Sequence, residues 1–414
     1  MPGLRNTRRN LSLNPSFESL ETITLMATGL PITPADLPPG YYSLGNRRSP
    51  VVPSGADPAT ATFIDPTTNI DHPRRVGVGN ETYIAPFVNI ATGRNKVLIG
   101  SGSDLQDNVT IDARRGDVII GDNDVLAHGA TVIGPSKLGG DGTNPTFVSF
   151  NSIIDRATLQ PGSYVSPMAR VGQGVVIRTG IKVLPGVYVK NQAEADDPAL
   201  GKVVQMTQAD IDFINGVLYV NQNLAEGYSK LYYQNPRMVL GISENPSEEF
   251  NPGNTLPVTN GTAKPYPAFR NRIIGKSILA NSIIALEKVL GFRNSIRADE
   301  GYPFQIGRIR RFSNRVTFHA LEHTSISVGQ KLKLGYHVLI HGGPDVPNPD
   351  ESEKTVIGDN VSVGDLSVVF RSIIGNNVKI GKKVLIDGSN IPDGAVIPDG
   401  TVMIKNVITR KVQW

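Results

Sequence analysis

An aliphatic residue recurs at every sixth position over long stretches of this sequence. The longest run is Ile153, Leu159, Val165, Val171, Ile177, Val183 and Val189. Turn-forming residues such as Pro161 and Gly162 lie between the hexad positions. A short fixed period outweighs helix and strand propensities judged window by window. One inward aliphatic side chain per hexad is typical of a parallel β-helix, in which three short strands form one triangular coil.

The period occurs in two blocks, and we therefore expect two β-helices. Shorter runs of the first block are Val78, Ile84, Ile90; Ile99, Leu105, Ile111; and Ile120, Leu126, Val132. Runs of the second block are Ile278, Ile284, Leu290, Ile296; Ile306, Phe312, Phe318; Val328, Leu334, Ile340; Ile357, Val363, Val369; and Ile374, Ile380, Ile386. Each stacked aliphatic stabilises the coils by about 1.5–3 kcal/mol when fully buried. The sequence predicts an all-β-dominated fold of two left-handed parallel β-helices built from hexapeptide repeats.

The segments around the two blocks have different patterns. Residues 207–234 have apolar positions three and four apart, which predicts an amphipathic α-helix after the first β-helix. Residues 242–267 are rich in Pro, Asn and Gly, as in a linker. We predict an N-terminal extension (1–62), a first β-helix with its closing helix (63–235), a linker (236–269) and a second β-helix (270–414).

Composition excludes several classes of function. Lys and Arg number 41 against 37 Asp and Glu, so the basic excess typical of a nucleic-acid-binding protein is missing. The chain has no cysteine, and any transition metal must be bound by imidazole and carboxylate groups. No apolar run is long enough to span a membrane, and we expect a cytoplasmic protein. Arg5, Arg8 and Arg9 would also suit an organelle transit peptide.

Four of the six histidines lie between residues 318 and 341. Imidazole is a frequent ligand of zinc, and this density predicts a metal site. The spacing alone does not say which of the histidines would bind.

Residues 294–322, NSIRADEGYPFQIGRIRRFSNRVTFHALE, resemble the γ-class carbonic anhydrases. In the archaeal prototype of that family an SIRxDEG motif is followed, without a gap, by HALE at the same separation. Residues 357–378 resemble later coils of the family. Residues 63–86 resemble its opening coils, and residues 191–198 and 218–228 resemble the segment that leads into its closing helix and the helix itself. The resemblance covers roughly residues 63–235 and 270–405.

The resemblance implies a zinc-dependent reversible hydration of CO2 to bicarbonate. It also implies a site between neighbouring β-helices of a trimer. One subunit supplies the His of HALE and the second His of an HxxxxH pair, and its neighbour supplies the first His of that pair. A Gln-Asp dipeptide before the HALE position places its Gln near the bound water, and its Asp pairs across the interface with the Arg of SIRxDEG.

Aligned by their hexads, the two blocks each retain half of this motif. The first block retains Gln106, Asp107 and His128, and the second block has Ser313, Asn314 and Tyr336 at the equivalent positions. The second block retains His319 and His341, and the first block has Asp112 and Ile133 at the equivalent positions. The losses are complementary. We therefore expect one site per contact between the two units, with His128, His319 and His341 as zinc ligands. Fe2+ or Co2+ would suit the same imidazoles.

The other expected site residues follow from the resemblance. They are Gln106, Glu300, Glu322, Asn221 and Tyr219 as catalytic residues, and Asp107 with Arg297 as an interface ion pair. His323 would stand aside, and His337 is the alternative to His128 as a ligand. Expected partners are CO2 and bicarbonate, with no nucleic acid and no membrane span, in a homo-oligomer built on trimeric β-helix contacts. The alternative function is a catalytically silent scaffold or assembly protein.

Overall fold

A computed structural model describes residues 31–46, 49–243, 258–259, 270–344 and 354–414. The predicted fold class is confirmed, because these residues form two parallel β-helices of three sheets each. Arg5, Arg8 and Arg9, as well as most of the expected linker, fall outside the described residues. The linker residues that are described include two short strands, which pair with sheets of the second β-helix.

The first β-helix contains sheets 1 to 3. Sheet 1 consists of Tyr42–Ser43, Val76–Val78, Val97–Ile99, Val118–Asp122, Ser136–Asp141, Thr158–Leu159 and Val176–Ile177. Sheet 2 consists of Val51–Val52, Thr62–Ile64, Tyr83–Ile84, Asp104–Leu105, Val125–Leu126, Phe147–Val148, Tyr164–Val165, Ile181–Val183 and Val203–Gln205. Sheet 3 consists of Asn69–Ile70, Asn89–Ala91, Thr110–Asp112, Thr131–Ile133, Ile153–Asp155, Arg170–Val171 and Tyr188–Val189.

The second β-helix contains sheets 4 to 6. Sheet 4 consists of Ile242–Ser243, Arg272–Ile274, Ser295–Arg297, Thr317–Ala320, Leu339–Gly342, Val368–Phe370, Leu385–Asp387, Thr401–Ile404 and Val407–Lys411. Sheet 5 consists of Val258–Thr259, Ser277–Leu279, Phe304–Ile306, Ser325–Val328, Lys354–Ile357, Ile373–Ile374 and Asn390–Ile391. Sheet 6 consists of Arg311–Phe312, Lys333–Leu334, Ser362–Val363, Lys379–Ile380 and Val396–Ile397.

Helices accompany the first β-helix and the start of the second. The α-helices are α1 (Gln192–Asp196), α2 (Gln208–Gln234) and α3 (Ile283–Val289). Short 3-10 helices span Pro34–Asp36, Leu44–Asn46, Pro58–Thr60, Pro73–Arg75, Pro198–Leu200 and Pro236–Val239. The predicted closing helix is confirmed as α2. It begins in a capping box, in which the Thr207 hydroxyl accepts from the Asp210 amide and the Asp210 carboxylate accepts from the Thr207 amide.

The hexad aliphatics form the two cores, with three exceptions. Ile154, not Ile153, points inward, because the turn at Arg156 leaves only five positions between it and the inward Leu159. Ile278 and Ile284 are 52% and 68% exposed, so their assignment to the core was wrong. Residues 283–289 form α3 instead of a strand and bury Leu286 at helical spacing.

The two β-helices pack against each other within one chain. Corner residues between sheets 2 and 3 lie against the outer face of sheet 4. The Asn108 amide donates to Thr317 Oγ1 at 3.0 Å, and the Asn151 amide donates to the His337 and Leu366 carbonyls at 3.3 Å. The contact between the first and the second unit is therefore formed within one chain.

Gly129 occupies the corner between these two asparagines. Its φ of 74° lies in the left-handed region. A Cβ at this position would be 2.1 Å from Asn151 Oδ1 and 2.7 Å from His337 Nε2. Glycine therefore permits the closest approach of the two units, directly after His128.

We predict that Gly129→Ala destabilises the protein more than Gly174→Ala does. Both glycines have φ near 75°, so each alanine variant holds a non-glycine residue in the left-handed backbone region, which costs about 1–2 kcal/mol. A Cβ at Gly174 meets nothing within 4 Å, whereas the one at Gly129 adds an overpacking cost of about 1–3 kcal/mol. Thermal and urea unfolding of the two variants measure the difference. Equal destabilisation would contradict the tight approach at this corner.

Candidate metal centre

Two histidines of the site lie side by side on sheet 4. His319 in Thr317–Ala320 is in register with His341 in Leu339–Gly342. Side chains alternate along a strand, so their neighbours Phe318 and Ile340 point into the core while both imidazoles point toward the first β-helix. His128 follows the strand Val125–Leu126 at the corner that packs on this face.

Three imidazole nitrogens converge between the units. Nε2 of His128 lies 3.1 Å from Nδ1 of His319, which lies 3.1 Å from Nε2 of His341. The ligand atoms of the three residues all lie within 4.8 Å of one another. Each side chain is at most 2% exposed. The structure thus joins the histidines that the two half-motifs had suggested, and His337 lies outside this group.

The opposite nitrogen of each ring faces an acceptor. His128 Nδ1 lies 3.2 Å from Asp107 Oδ2, His319 Nε2 lies 3.0 Å from Glu300 Oε1, and His341 Nδ1 lies 2.6 Å from the Gly342 carbonyl. A carboxylate or a carbonyl can only accept, so the proton of each neutral imidazole belongs on this outer nitrogen. The inner nitrogens of neutral rings are then left to bind a metal, as in sites whose histidines are oriented by carboxylates and carbonyls.

This donor set fits a zinc ion. Tetrahedral zinc with Zn–N distances of about 2.0–2.1 Å separates its ligand nitrogens by about 3.3 Å, close to the 3.1 Å found here. Lone pairs this close repel one another unless a metal ion or a proton lies between them. Buried carboxylates of Asp107, Asp299 and Glu300 surround the histidines and add to the attraction for a cation. Burial raises the pKa of the nearby Asp104 well above its usual value.

Burial and neighbouring charges give the three histidines different pKa values. Burial lowers the pKa of His128 to about 4 and holds that of His341 well below its usual value. Burial opposes a charge on His319, but the adjacent Glu300 and Asp299 carboxylates together outweigh it and raise the pKa of His319 to about 9. In the metal-free protein near pH 7, His319 therefore carries a proton where a metal would bind.

The expected interface ion pair is formed and fully buried. Arg297 Nε lies 3.0 Å from Asp107 Oδ2, and Arg297 Nη1 also donates to Asp299. The Ser295 hydroxyl donates to the other Asp107 oxygen. The guanidinium of Arg297 holds the pKa of Asp107 well below its usual range although burial opposes this.

The remaining expected residues lie at different depths. Gln106 is buried beside His128; its Oε1 accepts from the His128 backbone amide at 3.2 Å, and its Nε2 donates to Asp104 Oδ2 at 2.9 Å. Glu322 is half-buried, and burial together with the Glu300 charge raises its pKa. His323 is exposed.

The two residues expected on α2 point in different directions. Asn221 is buried, and its Nδ2 donates to the Val217 carbonyl. Tyr219 is 55% exposed, so within this chain it does not line the site. The two residues are two positions apart on a helix, which directs their side chains about 200° apart around its axis.

Several residues of the site were missed in the sequence. Asp104 lies two positions before Gln106, and Asp299 lies two positions after Arg297, a spacing that keeps side chains on one face of an extended segment. That spacing could have indicated both residues. Phe150, whose ring centre is 4.9 Å from that of His341, and Tyr228, which donates to Asp299, approach only through the tertiary fold.

Parts of the chain are similar to known proteins. No family model matches the chain. A carbonic anhydrase from Methanosarcina thermophila is 28% identical over 211 residues, which cover 44% of this chain and 81% of the relative. The carboxysome assembly protein CcmM from Synechococcus elongatus is 30% identical over 152 residues, 33% of this chain and 26% of the relative. A hexapeptide transferase family structure from Anaplasma phagocytophilum is 20% identical with a TM-score of 0.27, covering 41% of this chain and 93% of that one.

The chain is a left-handed hexapeptide-repeat β-helix protein. Within that class it is similar to the carbonic anhydrase from Methanosarcina thermophila and, over a smaller part, to the carboxysome assembly protein CcmM. No helix in the described ranges is long and apolar enough to cross a membrane.

We predict that metal affinity rises with pH. Binding displaces the proton of His319, whose pKa is about 9, so the apparent zinc affinity should rise about tenfold per pH unit from pH 7 to 9 and then level off. Titration against a competing chelator at several pH values measures this slope. A flat profile over this range would contradict a proton on His319 in the metal-free protein.

Proposed function

We propose that the chain catalyses the reversible hydration of CO2 to bicarbonate at a zinc site shared by its two β-helices. The observation that carries this proposal is the convergence of three imidazole nitrogens, one from the first unit and two from the second, with Nδ1 of His319 3.1 Å from each of the other two. The similarity to a carbonic anhydrase over 81% of that relative's length supports it.

His128, His319 and His341 would hold the zinc ion. Bound there, zinc supplies the Lewis-acid chemistry that makes water a nucleophile near neutral pH. Three neutral imidazoles leave the fourth position of a tetrahedral zinc open, as in catalytic sites. Fe2+ and Co2+ suit the same nitrogen ligands.

Gln106 would orient the attacking water. Its amide is fixed at both ends, because Oε1 accepts from the His128 backbone and Nε2 donates to Asp104. One Nε2 hydrogen remains for a further hydrogen bond. A donor held rigidly beside a metal ligand contributes by placing the nucleophile.

Glu300 and Glu322 would carry the released proton to solvent. Glu300 lies at the inner end, 3.0 Å from the His319 ring, and is buried. Glu322 is half-buried, and it follows the ligand strand Thr317–Ala320 next to the exposed His323. A carboxyl group whose pKa is raised toward neutrality exchanges protons with buffer more effectively than an ordinary one.

A catalytically silent assembly protein is the second candidate. The similarity to the carboxysome assembly protein CcmM from two cyanobacteria favours it. A silent scaffold has no need of three buried histidines whose ring nitrogens lie within 4.8 Å of one another. The arrangement of the histidines therefore supports the enzyme.

Metal content and single-histidine variants test the proposal. We predict about one zinc per chain, and complete loss of CO2 hydration in both His128→Ala and His319→Ala, because either unit alone lacks a full ligand set. His323→Ala is the control: this exposed histidine neighbours the site, and its loss should leave the rate unchanged. Protein purified without chelators that contains no zinc would favour the scaffold. Unequal losses in the two ligand variants would show that the site is not shared.

We predict that Glu322→Gln lowers kcat for CO2 hydration about 100-fold with little change in kcat/KM. The substitution removes a proton carrier but no metal ligand, and proton transfer by a positioned group contributes about 10²–10⁴-fold. Stopped-flow hydration assays at low and high imidazole measure the effect, because a small buffer should restore the rate. A loss that imidazole does not restore would contradict the role of Glu322 in proton transfer.

A further inference from the structure

Helix α2 belongs to the first β-helix, yet one of its side chains reaches the second. Tyr228 is fully buried, and its hydroxyl donates to Asp299 Oδ2. Asp299 lies just beyond the strand Ser295–Arg297 of sheet 4. This contact therefore crosses the interface in which the three histidines lie.

Asp299 connects the tyrosine to one ligand directly. Its Oδ2 accepts hydrogen bonds from the Tyr228 hydroxyl and from Nη1 of Arg297. Its Oδ1 lies 3.6 Å from Nε2 of His319. A carboxylate held at one oxygen by two donors has a fixed orientation. The tyrosine thereby helps to fix the position of the Asp299 carboxylate relative to Nε2 of His319.

Arg297 continues the connection to the ligand of the other unit. Its Nε lies 3.0 Å from Asp107 Oδ2, and the same oxygen lies 3.2 Å from Nδ1 of His128. The path from Tyr228 through Asp299, Arg297 and Asp107 to His128 is thus continuous, and all of its members are buried.

The ring of Tyr228 is itself held rigidly. It stacks on Phe63 at a centroid distance of 4.9 Å and on Tyr83 at 5.6 Å. Both neighbours are buried residues of sheet 2. The hydroxyl of Tyr228 is therefore placed by the docking of α2 on the first β-helix, independently of the second.

We propose that Tyr228 is a positioning residue of the metal centre. Its hydroxyl fixes Asp299 and, through it, the orientation of His319 and His128, so the docking of α2 on the first β-helix sets the ligand geometry. The inference rests on the proposed zinc site. Without the hydroxyl, Asp299 loses one of the two donors to Oδ2 and can turn toward His319 Nε2.

Tyr83 offers a matched control in the same aromatic stack. Its hydroxyl is buried and makes no hydrogen bond with the part of the chain that the structure describes. Tyr228→Phe and Tyr83→Phe each remove one buried hydroxyl and keep the ring. Only the first removes a donor to Asp299.

The test compares both variants in zinc affinity and in the visible spectrum of the cobalt-substituted protein. We expect Tyr228→Phe to weaken zinc binding about 10-fold, the lower end of the usual effect of losing a partner of a metal-ligating side chain because Tyr228 acts through Asp299, and to shift the cobalt absorption bands. Tyr83→Phe should change neither. In an Asp299→Asn background, Tyr228→Phe should have no further effect on affinity. Equal changes in both variants would show that Tyr228 acts through packing alone and would overturn the proposal.

A measurement on the metal-free protein tests the role of Tyr228 separately from the proposed function. The ring 15N signals of His128 and His319 in the metal-free protein report which nitrogen carries the proton. We expect them to change in Tyr228→Phe and not in Tyr83→Phe. Wild-type protein that binds neither zinc nor cobalt would refute the proposed function, while unchanged 15N signals in Tyr228→Phe would refute the role of Tyr228.

Discussion

The structure depends on a guanidinium buried between two carboxylates at the contact of the β-helices. Arg297 of the second unit lies between Asp107 of the first and Asp299 of its own, and all three are inaccessible to solvent. Leaving one member of such a group unpaired costs about 3–5 kcal/mol. The two units are therefore held in the one register that pairs all three charges. That register brings His128 to His319 and His341.

The equivalent outer faces of the two β-helices differ in polarity, because only one of them is covered by a helix. Sheet 2 presents Phe63, Tyr83 and Phe147 outward, and α2 covers this apolar face. The corresponding sheet 6 of the second unit presents Arg311, Lys333 and Lys379 to solvent. A charged face needs no covering helix. Helix α2 covers its own sheet and also contributes Tyr228 to the interface between the β-helices.

Much of the fold and part of the site followed from sequence periodicity. The hexads predicted the stacked aliphatics because one inward side chain per strand is a local, repeating requirement. They failed where one corner is shorter, at Ile153, where Leu279 is buried in place of Ile278, and where α3 replaces a strand, at Ile284. The half-motifs suggested His128, His319 and His341, but the contact of Tyr228 with Asp299 joins residues 71 positions apart on different elements. No local pattern encodes such a contact, and the outward direction of Tyr219 likewise depends on how α2 docks.

Because both parts of the histidine cluster belong to one polypeptide, the integrity of the site does not depend on protein concentration. When separate subunits each bring part of a binding site, the site falls apart as the protein concentration drops below the dissociation constant of the complex. Here the donors of both halves are covalently tethered, so each half experiences a high local concentration of the other at any bulk concentration. The complete site can then persist at nanomolar protein concentrations. Each β-helix can also lose the site residues that its tethered neighbour supplies.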